Sequence, residues 1–217
     1  MAGSVALFAD GDLVGGRPVA MGAGREDQLF PSIQELLAEA GKSPRALTGV
    51  VCGEGPGSFT SLRIAASIAK GLAHGANVPL FAVSSLLLAA ADACDAVPAG
   101  HAVVHADALR GERYVLEVLF DGHGAVQAQG ALRRMTLEQL ERHAAGHPRL
   151  AVLSSPTPDL EAHVVTPSSA HLVRIPSAVW RHAVPLESWE PQYGRMAEAQ
   201  VKWEASHGTP LPAHGAA

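Results

Sequence analysis

Val50–His74, VVCGEGPGSFTSLRIAASIAKGLAH, is the stretch that decides the fold. Val50-Val51-Cys52-Gly53 is a short apolar run of the kind that makes a buried strand. Glu54-Gly55-Pro56-Gly57 is too heavily punctuated to extend it, so the strand must exit into a tight loop. From Ser58 to His74 the pattern takes a helical period. Thr60, Arg63, Ser67, Lys70 and His74 share one polar strip, and Ile64, Ile68, Ser61, Leu72, Ala65, Ala69, Leu62, Ala73 and Ala66 fill the rest. At about 100° per residue that apolar or small arc covers roughly 200°, wider than the ~100° needed to lie on one sheet. Such a helix is either sandwiched inside its own chain or partly covered by another chain. Ser61, Ala65 and Ala69 form an i, i+4 row of small side chains that lets a second helix come close.

Working outward, the same strand-and-helix grammar recurs. Ser4-Val5-Ala6-Leu7-Phe8 and Leu13-Val14 flank Asp10-Gly11, a hairpin turn dipeptide. A helix is expected from Glu26 to Ala40 with Gly41 at its C′ position; Leu29, Phe30, Ile33, Leu36, Leu37 and Ala40 make one apolar face. Ser43-Pro44 opens a further turn. Downstream, Pro79–Val83 reads as a strand, Ser84 or Ser85 as a cap, and an Ala/Leu-rich helix follows to Ala96. A second run has strands at Ala102–Val104 and Tyr114–Phe120, a turn at Leu109–Glu112 and a hairpin turn at Asp121-Gly122. Thr136 with Gln139 forms a capping box, and Leu150–Leu153 is the last clear strand. Strands alternating with helices in two similar halves predict an α/β fold of two small lobes. The expected division is residues 1–100, residues 101–192, and a C-terminal segment with a frayed tail over 193–217.

Composition narrows the functional classes. The 217 residues are 47% hydrophobic and 17% charged, enough for a sizeable core. Sixteen basic against twenty-one acidic side chains give a net charge of −5, the wrong sign for a free-standing nucleic-acid binder. No apolar run approaches the ~18 residues of a membrane span, and the N-terminus lacks the pattern of a signal peptide, so a cytoplasmic protein is expected. Two cysteines, Cys52 and Cys94, are too few for a disulfide framework or a thiolate zinc cage.

The candidate chemistry is sparse. Gly55-Pro56-Gly57-Ser58-Phe59-Thr60 joins a strand to a helix N-terminus, a setting that suits an anion but serves equally as a tight structural turn. It lacks the Gly-Lys-Ser/Thr ending of a P-loop. His143 and His147 have the i, i+4 spacing of a helical metal pair, yet Gly146 and Pro148 end the helix and no third ligand is evident. His101 and His105 share that spacing in a strand, which separates them by about 13 Å and rules out a shared metal. Asp107, Arg110 and Glu112 read as a salt-bridged turn rather than a catalytic cluster. No complete active site and no metal site emerge.

The run Gly55-Pro56-Gly57-Ser58-Phe59-Thr60-Ser61-Leu62-Arg63-Ile64, continuing through Ala69-Lys70-Gly71-Leu72-Ala73, resembles the signature of the TsaB (YeaZ) family. This is the dimerisation subunit of the bacterial tRNA threonylcarbamoyladenosine-modification machinery. Leu29-Phe30-Pro31-x-Ile33 to Gly41, Asp107-Ala108 with Arg110-Gly111-Glu112 and Tyr114, and Glu190-Pro191-x-Tyr193-Gly194-Arg195 agree with it. The resemblance implies a two-lobed ribonuclease-H-like fold of the actin, sugar-kinase and heat-shock-ATPase superfamily. It implies a non-catalytic subunit that binds a TsaD-like catalytic subunit through a helical bundle built from the two helices at 26–40 and 58–74. A TsaE-like ATPase joins the complex, tRNA is reached only through it, and a homodimer is possible in isolation. No cofactor is expected on this chain alone; ATP or ADP and metal are expected on the partner subunits. Leu29, Ile33, Leu36, Phe59, Leu62 and Arg63 are the expected partner surface.

The resemblance also implies a strand ending in Asp-Thr-Ser/Thr shortly before Ser4, so the expected fold lacks the first strand of its N-terminal lobe, with the natural start upstream of Met1. Arg25-Glu26 stands where the family often has His-Ser. The competing reading is an ATP-dependent or metallopeptidase-like enzyme of the same superfamily.

Overall fold

The computed structural model describes residues 2–20, 28–152, 162–193 and 206. Strands β1 (Ala2–Ala9) and β2 (Asp12–Ala20) form an antiparallel hairpin. Its turn is the expected Asp10-Gly11, with φ of 54° and 94° at the two residues, the mirror-image turn that matches strand twist. Helix α1 (Leu29–Glu39) follows. Gly41, with φ of 64°, ends it in a Schellman arrangement, its N–H donating to the Ala38 carbonyl and that of Lys42 to the Leu37 carbonyl. Pro44–Ala46 is one 3-10 turn; Ser43 precedes it without a side-chain cap.

The decisive stretch becomes β3 (Val50–Gly53) and α2 (Phe59–Ala76), capped by Ser58, whose hydroxyl accepts from the Ser61 N–H. α2 runs two residues past His74 and stops where Asn77 turns left-handed at φ 55°. β4 (Leu80–Val83) pairs in parallel with β3. α3 (Ser85–Ala90) is capped by Ser84 and continues into a 3-10 turn over Ala91–Ala93.

The second half is a six-stranded sheet. β5 (Gly100–Leu109) and β6 (Glu112–Phe120) form its long central hairpin, extended by β7 (Val126–Ala128) and β8 (Arg133–Thr136), both paired with β6. α4 (Leu137–His143) starts at the expected capping box of Thr136 and Gln139. β9 (Arg149–Val152) pairs in parallel with β5, and β10 (His163–Val165) with β9. The sequence reading gave Ala102–Val104 as the apolar run of this strand and set His101 and His105 in a strand as well; the ladder of β5 runs on through Leu109. It carries both histidines, with His105 wholly buried.

Period-two alternation explains why β5 is buried on both faces. Ala102, Val104 and Ala108 point into the main core with Leu86, Leu87, Tyr114, Leu116 and Val118. Val103 and Val115 point the other way, against Leu140 and Ala144 of α4. α3 therefore packs on the second sheet although it precedes it in sequence.

The end of the described chain returns to the first half. After a 3-10 stretch over Ser169–Arg174 and the short α5 (Ser177–Trp180), β11 (Ala183–Val184) pairs with β4. Trp189 then packs with Cys52, Ala66, Ala69, Ala73 and Leu80. Residues 183–192 thus belong physically with the β3–β4 side, not with the 101–192 unit expected from sequence. A two-residue strand has no periodicity to betray its pairing.

Among the described residues β1 pairs only with β2, and β3 only with β4. Among the described residues no strand joins the hairpin to the β11–β4–β3 sheet, so β1 and β3 each have one side without a ladder partner, as β2 and β11 do.

Candidate functional site: the α1–α2 face and the glycine loop

The broad apolar arc of α2 is divided between two covers supplied by its own chain. Ala66, Ala69 and Ala73 are buried against Cys52, Leu80 and Trp189. Ile64, Ala65 and Ile68 turn toward the hairpin and α1, clustering with Val5, Val19, Leu29 and Ile33. The sandwich therefore accounts for most of the arc without a second chain. Ile33, Ile64, Ile68 and Leu72 stay half-buried, and Phe30 of α1 is 45% exposed.

The six residues expected to form a partner surface fall into three environments. Leu29, Leu36 and Leu62 are 7%, 5% and 7% exposed and fill their own chain's core, so they cannot be the touching surface as they stand. The helical spacing of Leu29 and Leu36 does not separate them from Ile33 and Phe30; the covering hairpin does, and Leu62 is covered by the glycine loop instead. Ile33 and Phe59 are half-buried, and Arg63 is exposed. The available apolar patch is Phe30, Ile33, Ile64 and Ile68, of which the sequence reading had named only Ile33 for this role.

The loop Gly55–Thr60 is stitched to two distant segments. The Glu54 N–H donates to the Val83 carbonyl and that of Ser85 to the Gly55 carbonyl, while the Gly55 N–H donates to Ser85 Oγ at 3.2 Å. On the other side the Gln192 N–H donates to the Glu54 carbonyl at 2.7 Å. Gly55 has φ of 101°, and a Cβ there would lie 2.6 Å from the Gln192 carbonyl oxygen. Glycine is needed for both conformation and space. Phe59 meets Tyr193 at 4.7 Å between ring centroids, and the Arg63 guanidinium lies 5.0 Å over the Phe59 ring. The loop thus clamps the returning segment to the start of α2 and α3.

Burial pushes the Cys52 thiol up to about 12, with Glu54 adding repulsion, which makes it an unreactive core residue. Burial also raises the Glu54 carboxyl, against a lowering hydrogen bond from Gln192. Asp107 Oδ1 accepts from the Leu109 N–H, and Glu112 pairs with Arg134 across β6–β8 rather than with Arg110. The turn reading of that motif holds, with a different ion pair. His105 is wholly buried, and burial followed by Arg113 and Arg149 lowers its pKa to about 4, so it is neutral.

A family model described as "TsaD: tRNA N6-adenosine threonylcarbamoyltransferase" matches residues 18–146, more than half of the chain. Escherichia coli (strain K12) "tRNA threonylcarbamoyladenosine biosynthesis protein TsaB" is 37% identical over 97 residues, 45% of this chain. The chain belongs to this family, as a TsaB (YeaZ) member. The family's Bacillus subtilis (strain 168) protein of the same name is 38% identical over 65 residues, 30% of this chain. These matches span 42% and 28% of the two relatives' own lengths, less than half of either. A Pseudomonas aeruginosa structure described as an uncharacterized protein with similarity to peptidase YEAZ superposes with a TM-score of 0.71 at 26% identity, over 89% of this chain and 94% of that one. A second, described as YeaZ from the same organism, gives 0.72 at 24% identity over 88% and 94%, a likeness of fold. The ribonuclease-H-like, actin-type α/β fold expected from the sequence is thereby found. No helix among the described residues is long and apolar enough to cross a membrane.

Proposed function

We propose that the chain is a non-catalytic, cytoplasmic subunit in the biosynthesis of threonylcarbamoyladenosine on tRNA, and that it works by holding a TsaD-like catalytic subunit. The observation carrying this reading is the patch of Phe30, Ile33, Ile64 and Ile68, drawn from two helices and left partly open by the covering hairpin. A solvent-facing Phe beside half-covered Ile side chains is the composition of an interface centre. Arg17 spans Glu35 at 2.7 Å and Glu39 at 2.6 Å, linking β2 to the exposed side of α1. In this reading a TsaE-like ATPase and the tRNA join through the catalytic subunit, and nucleotide and metal sit on those partners.

The test is co-purification with the TsaD-like subunit. Phe30→Asp with Ile68→Asp abolishes capture, since carrying carboxylates into an apolar contact costs several kcal/mol. Ile68 is half-buried against the Val19–Leu29 cluster, so the double variant is less stable than the parent, whereas Phe30→Asp alone, at a position 45% exposed, melts within a few degrees of it and still weakens capture. Full retention of the partner by a folded double variant overturns the reading. Light scattering separates the alternative occupant, a second copy of this chain: on adding the catalytic subunit, heterodimer replaces homodimer.

A further inference from the structure

The second sheet carries a cleft that the partner-binding reading leaves unused. It has a volume of about 160 Å³ and is lined by His101, Ala102, Val103, Glu117, His143 and His147. β5 supplies His101, and the end of α4 with the turn after it supplies the other two imidazoles. The rings of His101 and His147 lie 6.0 Å apart, centroid to centroid. Glu117, the single carboxylate in the lining, has His143 Nε2 2.9 Å and Arg133 Nη1 3.3 Å from its Oε1.

More positive charge stands around the cleft. Arg149 is the ladder partner of Val103, on the same face, and makes no salt bridge among the described residues. Further along that face His105 is buried with neither ring nitrogen hydrogen-bonded, and Arg113 has a buried, unbonded Nη1. Glu138 of α4 pairs with Arg142 at 3.7 Å, Glu141 is exposed, and Asp107 faces Arg113 across the hairpin. On a chain of net charge −5 the four arginines and four carboxylates named on this face balance with the histidines neutral, so the face is locally less acidic than the whole.

Three imidazoles could mean a metal ion or an anion, and the geometry separates the two. A metal needs at least three lone pairs converging on one point, and no such group of His, Cys, Asp or Glu exists among the described residues. His143 has its Nε2 committed to Glu117. An oxyanion needs only N–H donors and positive charge, which imidazoles and a guanidinium provide. We propose that this cleft binds a phosphate group, held by the ring N–H groups of His101 and His147 with Arg149 supplying fixed charge. The phosphate is either a free ion or one group of a nucleic-acid backbone.

Inorganic phosphate is titrated into the full chain while the imidazole resonances are followed by NMR at one fixed pH. Saturable shifts of the His101 and His147 signals are expected. His101→Gln with His147→Gln, both exposed positions, lowers affinity about ten-fold or more without changing the melting temperature, and Arg149→Gln lowers it likewise. Competition between phosphate and a short oligoribonucleotide assigns the site to a nucleic-acid backbone, and indifference assigns it to the free ion; both outcomes keep the site. Absence of saturable shifts, or equal affinity in the double variant, overturns the proposal. So does zinc binding that these histidines carry while phosphate has no effect.

Discussion

Two residues show how local rules and distant neighbours divide the outcome. Gly55 is recognisable in sequence as a turn residue, but the reason nothing else fits is the Gln192 carbonyl, more than a hundred residues away. Gly55→Ala is expected to cost about 2 kcal/mol or more, from the positive φ and from the contact with backbone that cannot rotate aside. A thermal melt checks it, and loss of the Phe59–Tyr193 contact should accompany it in near-ultraviolet dichroism. His105 gives a pH prediction. Its folded pKa of about 4 lies below the ordinary 6.5, so the unfolded chain takes up the proton first as pH falls. Its contribution is full above about 6.5 and is lost progressively toward about 4, by at most roughly 3 kcal/mol. His105→Leu should flatten that part of a stability-versus-pH curve; an unchanged slope would show that other groups set it.

At the level of elements, amphipathic pattern identified α1 and α2, and the Thr136–Gln139 capping box identified α4, but neither says what covers them. Helical spacing gives Leu62 and Ile64 similar claims to an outer face. Only the loop beneath Leu62 and the hairpin beside Ile64 distinguish them. Leu62→Asp is therefore expected to unfold the chain, at about 3–5 kcal/mol, rather than to release a partner selectively. Urea denaturation compared with Phe30→Asp separates a core position from a surface one. Thr136→Ala should cost about 1 kcal/mol through loss of the reciprocal Thr136–Gln139 cap, a feature legible from four residues alone. β7, β8, β10 and β11 were not read from sequence, because they lack the longer apolar runs that mark the equally short β3, β4 and β9.

For the molecule as a whole, the two-half architecture was visible in the order of strands and helices, and the exchange of elements between halves was not. α3 serves the later sheet and residues 183–193 serve the earlier one, so the halves cannot separate without unmaking a shared core. A single cooperative unfolding transition by calorimetry is the expected result; two resolved transitions would show that the halves melt independently. The candidate partner patch needed the same long-range information, since the hairpin and α1 approach α2 through side chains far apart in sequence.

The rims of β1 and β3, which have no ladder partner among the described residues, have a consequence for handling the protein. Amide and carbonyl groups along such a rim are satisfied as readily by a neighbouring molecule's backbone as by water. Concentrated or warmed samples should consequently clump through rim-to-rim zippering before the interior gives way. Storage life would then be governed by the seam between the hairpin and the parallel pair.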